Sequence, residues 1–176
     1  DDLYVFSHPP SLAHALAGRF LRNPLVAVAP RGHPLAGRER IAMGELVEER
    51  FLLREPGSAT RMLFESWLQE QGLTLGPTLQ MASNEAIRVG VAAGMGLAVL
   101  SEHVLPPEHP DLVILPVEGL PIESHWQFIV RCDRRLSHAA LGFLRFAEGH
   151  LGECVEARFL SNELAGLLEG LPGSDP

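Results

Sequence analysis

Short apolar runs alternate along this chain with segments of helical periodicity, and glycine or proline marks most changes of period. That alternation constrains the architecture more than any other feature. Strands separated by helices at this spacing imply an α/β fold with mainly parallel strands. Leu3 to Ser7 reads as a buried strand stopped by Pro9 and Pro10, and Ala13 to Leu21 as either a helix or an edge strand, the strand being favoured. Leu25 to Ala29 is a clear strand, and Pro30-Arg31-Gly32-His33-Pro34 a turn. Met43 to Glu48 makes one or two helical turns, and Phe51 to Leu53 is a short strand leading into Glu55-Pro56-Gly57-Ser58.

From Thr60 to Gln71, Leu63, Phe64, Trp67 and Leu68 share one helical face, and Gly72 supplies a left-handed stop. Thr78 to Met81 is a strand; Asn84 to Ala93 is a helix capped by Ser83 or Asn84, with Glu85 in its first turn. Gly94-Met95-Gly96 turns the chain into a strand at Leu97 to Leu100. Strands at Leu112 to Leu115 and Trp126 to Val130 follow, separated by Gly119 and Pro121. Ser137 to Leu151 reads as a helix with Leu141, Leu144 and Arg145 near one face, Cys154 to Leu168 as a further helix, and Gly170 to Pro176 as a polar tail.

Composition then excludes several functions. The chain carries 14 basic and 22 acidic residues, a net charge of −8, and every cation is arginine. A chain this acidic, without a basic stripe, lacks the phosphate-neutralising surface that duplex DNA requires. The absence of lysine removes Schiff-base chemistry and a P-loop. Cys132 and Cys154 form no CxxC and read as two small buried thiols in a reducing compartment. No signal-peptide pattern opens the chain, which begins almost directly in a strand and is expected to continue upstream.

No catalytic, metal or cofactor site is expected. Pro56-Gly57-Ser58-Ala59-Thr60 lacks the second glycine of a nucleophile elbow. None of the eight histidines has ligand spacing, and His33 and His109, beside prolines, read as solvated loop residues. Glu55, Glu65 and Glu85 read as a loop charge, a solvated face and a first-turn dipole partner. Gly94-Met95-Gly96 follows a helix and precedes a strand, the reverse of a dinucleotide fingerprint. Two glycines there serve a left-handed stop and a close backbone approach.

The stretch from Phe51 to Phe64 points elsewhere. A strand ends, a Pro-Gly turn follows, and a helix starts at Ser58, Ala59 or Thr60. Its first N–H groups have no intrahelical partner and carry the positive end of the helix dipole. The hydroxyls of Ser58 and Thr60, with Arg61 beside them, form a candidate anion cradle. Ser83-Asn84-Glu85 repeats the arrangement at a second helix start. The candidate effector contacts are Ser58, Thr60, Arg61, Ser83 and Asn84, with backbone help from Gly57 and Met95.

Several segments together carry a family resemblance. Asn23-Pro24-Leu25-Val26-Ala27-Val28-Ala29-Pro30 with His33-Pro34-Leu35-Ala36, Phe51 to Arg61, and Val91 to Leu100 resemble, in order, three signature segments of LysR-type transcriptional regulators. Ser83 to Ile87 and Val117 to Pro121 are similar to the regulators of Calvin-cycle (RuBisCO) operons. The resemblance spans about residues 1 to 150. It implies a type II periplasmic-binding-protein-like fold, two α/β lobes joined by two crossing strands, with an effector cleft between the lobes. It also implies a winged helix-turn-helix and a linker helix, neither of them in this chain.

On that frame, residues 1–29 hold a remnant of the first lobe and the first crossover strand, and 30–118 a complete second lobe. Residues 119–151 hold the second crossover and a return helix, and 152–176 an extension without a family role, so the first lobe is expected to be incomplete here. The resulting expectation is a cytoplasmic effector-sensing domain that binds a small anionic metabolite, phosphorylated or carboxylated, and reaches DNA only through the absent module. The alternative of another class is a secreted solute-binding protein of the same fold. Apolar surface left uncovered near Leu3, Val5, Leu141 and Leu144 would drive self-association into a homodimer or tetramer.

Overall fold

The computed structural model describes residues 2–7, 14–106, 108–133 and 135–171. The chain divides into two compact units, Asp1–Asn23 with Ser124–Pro176, and Pro24–Glu123.

The 24–123 unit is organised around strand β3 (Leu25–Pro30), in which Leu25 to Ala29 are all buried. A strand buried on both faces tolerates only apolar side chains, hence the uninterrupted Leu-Val-Ala-Val-Ala run. Its edges pair with β6 (Ala98–Ser101) and β7 (Leu112–Leu115), both antiparallel to it. Strands β4 (Phe51–Leu53) and β5 (Thr78–Gln80) form a parallel pair, and a parallel bridge from Phe51 to Leu97 joins β4 to the entry of β6. Helix α1 (Ala59–Glu70) buries Phe64 and Leu68 in one apolar cluster, with Trp67 packed against it. Helix α2 (Asn84–Ala92) buries Ile87 and Val91 in a second cluster with Val26, Val28 and Leu52.

Both helices end in Schellman turns. Gly72 (φ 68°) and Gly94 (φ 76°) adopt left-handed conformations, Leu73 N–H returns to the Leu68 carbonyl, and Met95 N–H returns to the Gly90 carbonyl. Gly96 has a different task. A Cβ there would sit 2.4 Å from the Arg50 carbonyl oxygen, the atom that also accepts the Leu97 N–H.

The other unit contains an antiparallel sheet in the order β1 (Leu3–Phe6), β8 (His125–Arg131), β2 (Ala15–Arg22). The expected stop at Pro9 and Pro10 lies outside the described residues, as does Ala13. Helix α3 (His138–Cys154) packs Leu144 and Ala147 against Phe128 and Val130. The chain then passes a 3-10 turn (Ala157–Phe159) and forms the short helix α4 (Leu164–Glu169), whose Leu164 and Leu167, with Leu171, complete the same cluster. On the way it follows the free edge of β2: Leu160 bridges Leu21, Ser161 N–H donates to the Phe20 carbonyl, and Arg19 N–H donates to Glu163 Oε2 at 3.1 Å.

Several expectations are corrected. Most named pairs are antiparallel, because alternation of element type does not report strand direction, and the excursion from β3 to β6 brings the chain back running the other way. Cys154 to Leu168 is not one helix: it contains a 3-10 turn and an extended stretch beside β2. Arg145 is exposed, and Leu144, far from uncovered, is fully buried under α4. The large exposed apolar residues of α3 are Phe143 and Phe146. Leu171 is buried despite its place in the polar tail, of which residues 172–176 lie outside the description. Cys132 is half-buried and Cys154 exposed; both are free thiols. His33 is no solvated loop residue, since its Nε2 lies 3.1 Å from both Glu49 carboxylate oxygens and its Nδ1 accepts the Leu35 N–H. His109 is half-buried, with Nδ1 against the Pro106 carbonyl.

The packing of α4 makes a testable prediction. Gly18 leaves room for it, since a Cβ at that position would lie 2.8 Å from Leu167 Cβ. Leu167→Ala is expected to destabilise the protein by about 2–4 kcal/mol, as for a buried leucine. Exposed Met62→Ala should cost no more than about 0.5 kcal/mol. Urea denaturation checks both.

Candidate functional site

Two helix starts and one strand end meet at the carboxyl end of β4. Arg54 and Glu55 leave the strand, Pro56 and Gly57 (φ 91°) turn the chain, and Ser58 is the N-cap of α1. The first helical bond runs from Met62 N–H to the Ser58 carbonyl, so the N–H groups of Ala59, Thr60 and Arg61 precede the ladder. The Ser58 hydroxyl makes no cap bond. At α2 the Ser83 hydroxyl does cap, accepting the Ala86 N–H at 3.0 Å, which leaves its own O–H as a donor.

One residue joins these parts. Arg54 Nη1 donates to Asn84 Oδ1 at 2.8 Å, and Nε and Nη2 donate to the two Glu55 carboxylate oxygens, both at 2.8 Å. The Arg54 carbonyl accepts from Arg61 Nη1 at 2.9 Å. Arg61 Nε in turn donates to Glu65 Oε1 at 2.7 Å. The three glutamates read as a loop charge, a solvated face and a dipole partner are each held by an arginine as well: Glu55 by Arg54, Glu65 by Arg61 and Glu85 by Arg88.

This pairing sets the electrostatics. Hydrogen bonds from the Arg54 guanidinium hold the Glu55 carboxyl down to about 2, and Glu55 in return raises Arg54 above its ordinary value. The Arg88 hydrogen bond lowers Glu85 in the same sense. Around the helix starts each guanidinium thus has its own carboxylate, and the remaining donors are neutral: backbone N–H groups, the Ser58, Thr60 and Ser83 hydroxyls, and the Asn84 amide.

Of the expected contact residues, the hydrogen-bond chain from Asn84 through Arg54 to Arg61 links the two helix starts, and Gly57, Ser58 and Thr60 lie on the α1 side of it. Ser83 sits beside Asn84. Met95 is not brought to this cluster. It follows the far end of α2, about 14 Å along the axis at about 1.5 Å per residue. Its N–H is spent on the Gly90 carbonyl. Arg61 is also more committed than a free positive fork, bound as it is to Glu65 and to the Arg54 carbonyl. Arg54 escaped notice because its partner lies 30 residues away, a separation without local signal. Its position between the strand and the Glu-Pro-Gly turn was the one available hint. A separate open groove of about 590 Å³ runs between α1 and the following loop, lined by Arg61, Glu65, Gln69, Thr74 and Thr78 among others. Gly57, Ser58, Thr60, Ser83 and Asn84 do not line it.

Comparison with known proteins defines the class. The model of the LysR substrate binding domain matches residues 1–152, and the chain belongs to that family. It is 42% identical over 147 residues to a RuBisCO operon transcriptional regulator of Allochromatium vinosum, covering 82% of this chain and 49% of that protein. It is 39% identical over 152 residues to the HTH-type transcriptional activator CmpR of Synechocystis sp., covering 85% and 50%. The chain spans about half the length of these curated relatives. Among solved structures, the CcmR regulatory domain of Synechocystis PCC6803 in complex with 2-PG superposes with a TM-score of 0.77 at 38% identity, covering 83% of this chain and 71% of that one. The effector-binding domain of QuiR in complex with shikimate (TM-score 0.70, 18% identity, 83% and 69% covered) shares the fold. The expected periplasmic-binding-protein-like α/β fold is thereby established.

The ion pair at the end of β4 predicts a pH dependence. A carboxyl held below its ordinary 4.5 adds stability that is fully present above pH 4.5 and is lost as pH falls through about 2. Carbon-detected NMR titration should place Glu55 near 2 in the unaltered protein and higher in Arg54→Gln, still below 4.5 because its backbone hydrogen bond remains.

Proposed function

We propose that this chain is the effector-sensing domain of a LysR-type transcription regulator that controls carbon-fixation genes and responds to a small anionic metabolite. One observation supports this reading above the rest. A donor-rich pair of helix starts stands at the end of β4 in a chain 38% identical to a regulatory domain solved with 2-PG. The ligand proposed is a phosphorylated or carboxylated acid, held by Gly57, Ser58, Thr60, Arg61, Ser83 and Asn84. The net charge of −8 opposes an anion at long range. Screening beyond roughly 8 Å at physiological salt leaves local donors to decide.

The role is binding without catalysis. An effector that prefers one arrangement of the protein shifts its population by its differential affinity, and linkage carries that shift to DNA. DNA contact is assigned to a winged helix-turn-helix outside this chain, and the working form is a homodimer or tetramer in the cytoplasm. No helix among the described residues is long and apolar enough to cross a membrane.

Isothermal titration of 2-PG into the intact protein tests the proposal. Thr60→Ala and Arg61→Ala are each expected to weaken binding by about 1–3 kcal/mol, the worth of a hydrogen bond to a charged group, with melting temperature little changed. Unchanged affinity in both variants would show that this loop is only a helix cap.

A further inference from the structure

We infer that Arg54 is a positioning residue, which acts on the ligand through Asn84 by fixing the orientation of its amide; this rests on the function proposed above. The Asn84 side chain offers one acceptor oxygen and one two-proton donor nitrogen. A free amide at a helix start could turn either group outward, and only the nitrogen is useful to an anion. Arg54 removes that freedom. With Nη1 bonded to Asn84 Oδ1 at 2.8 Å, the oxygen is engaged and Nδ2 is left to donate elsewhere.

Arg54 is itself held, which gives the tie its rigidity. Glu55 grips the guanidinium at two points, both 2.8 Å, in the fork geometry that a lysine cannot reproduce. The side chain is only 21% exposed. Its carbonyl anchors Arg61 in the first turn of α1, so one residue connects β4, α1 and α2. The guanidinium charge is matched by Glu55, so what Arg54 lends the site is orientation more than attraction.

A double-mutant cycle read by 2-PG titration on the intact protein separates this from a structural role. Asn84→Ala should weaken binding about tenfold, the effect of one lost charge-assisted bond. Arg54→Lys, which keeps the charge and loses the fork, should weaken it about threefold to tenfold. The pair combined should bind no worse than Asn84→Ala alone, because Arg54 has nothing to orient once the amide is gone. Asn84→Asp keeps an acceptor for Arg54 and removes the donor, so it should lose affinity while retaining its melting temperature.

Multiplicative losses in the double variant, or wild-type affinity in Arg54→Lys, would overturn the inference while leaving the site in place. Absent 2-PG binding by the unaltered protein, or unchanged affinity in both Asn84→Ala and Thr60→Ala, would overturn the site itself. A ligand-free measurement guards against misfolding. The Asn84 side-chain amide should give one sharp NMR pair in the unaltered protein and shifted, averaged resonances in Arg54→Lys. An unmoved pair would also refute the inference.

Discussion

A strand buried along both faces must find hydrogen-bond partners at both edges, because an unpaired backbone polar group inside the protein costs as much as a lost bond. Strand β3 is in that position from Leu25 to Ala29, and β6 and β7 meet the requirement. Much else in the 24–123 unit follows from bringing β6 there. The chain must leave α2 through a left-handed residue, Gly94, and pass the Arg50 carbonyl where only Gly96 fits. Helix α2 must lie close to β4, and Gly90 permits it: a Cβ there would meet Leu52 Cδ1 at 2.9 Å. That close approach places the start of α2 within reach of the side chain that ends β4. The Arg54–Asn84 bond is thus a consequence of how a buried strand is completed.

The same geometry reconciles an acidic protein with the anionic ligand proposed for it. The arginines around the helix starts do not stand as unopposed cations, since Glu55, Glu65 and Glu85 each occupy one of them. What remains is a set of neutral donors at the positive ends of two helix dipoles. Such donors act over a few ångströms, where screening is weak, and they discriminate by geometry. A cluster of free arginines would instead accept any anion of sufficient charge.

Local signals carried most of the element boundaries. Glycines at 72 and 94 stop their helices as read, Ser83 caps α2, and Gly96 makes the close approach expected of it. Order within the family's motifs was equally legible, because Leu25 to Pro30, Phe51 to Arg61 and Val91 to Leu100 encode backbone requirements as well as side chains. Strand direction was not, since a run such as Leu-Val-Ile-Leu is compatible with either sense of pairing. Nor were the partners of Arg54 and His33, which meet across 30 and 16 residues. In the candidate site the residue types were readable from helix-start chemistry, whereas Met95, which follows the far end of α2, carried no such signal.

The segment after Gly152 shows what a family pattern leaves out. The family match ends at residue 152, yet Phe159, Leu164, Leu167 and Leu171 are buried, and three of these leucines share a cluster with Phe128, Val130 and Leu144. Strand β2 would otherwise present an open edge, a template for pairing with another chain. Backbone bonds at Phe20 and Arg19 and the Leu21–Leu160 bridge close it from within the same molecule. The break in helical periodicity after Cys154 has a physical purpose on this view. An extended stretch follows the strand edge, and a second, shorter helix then folds back over Gly18, where a Cβ would lie 2.8 Å from Leu167 Cβ. Among the described residues the apolar cluster of this unit therefore extends to Leu171, some 19 residues beyond the point where the family's shared pattern stops.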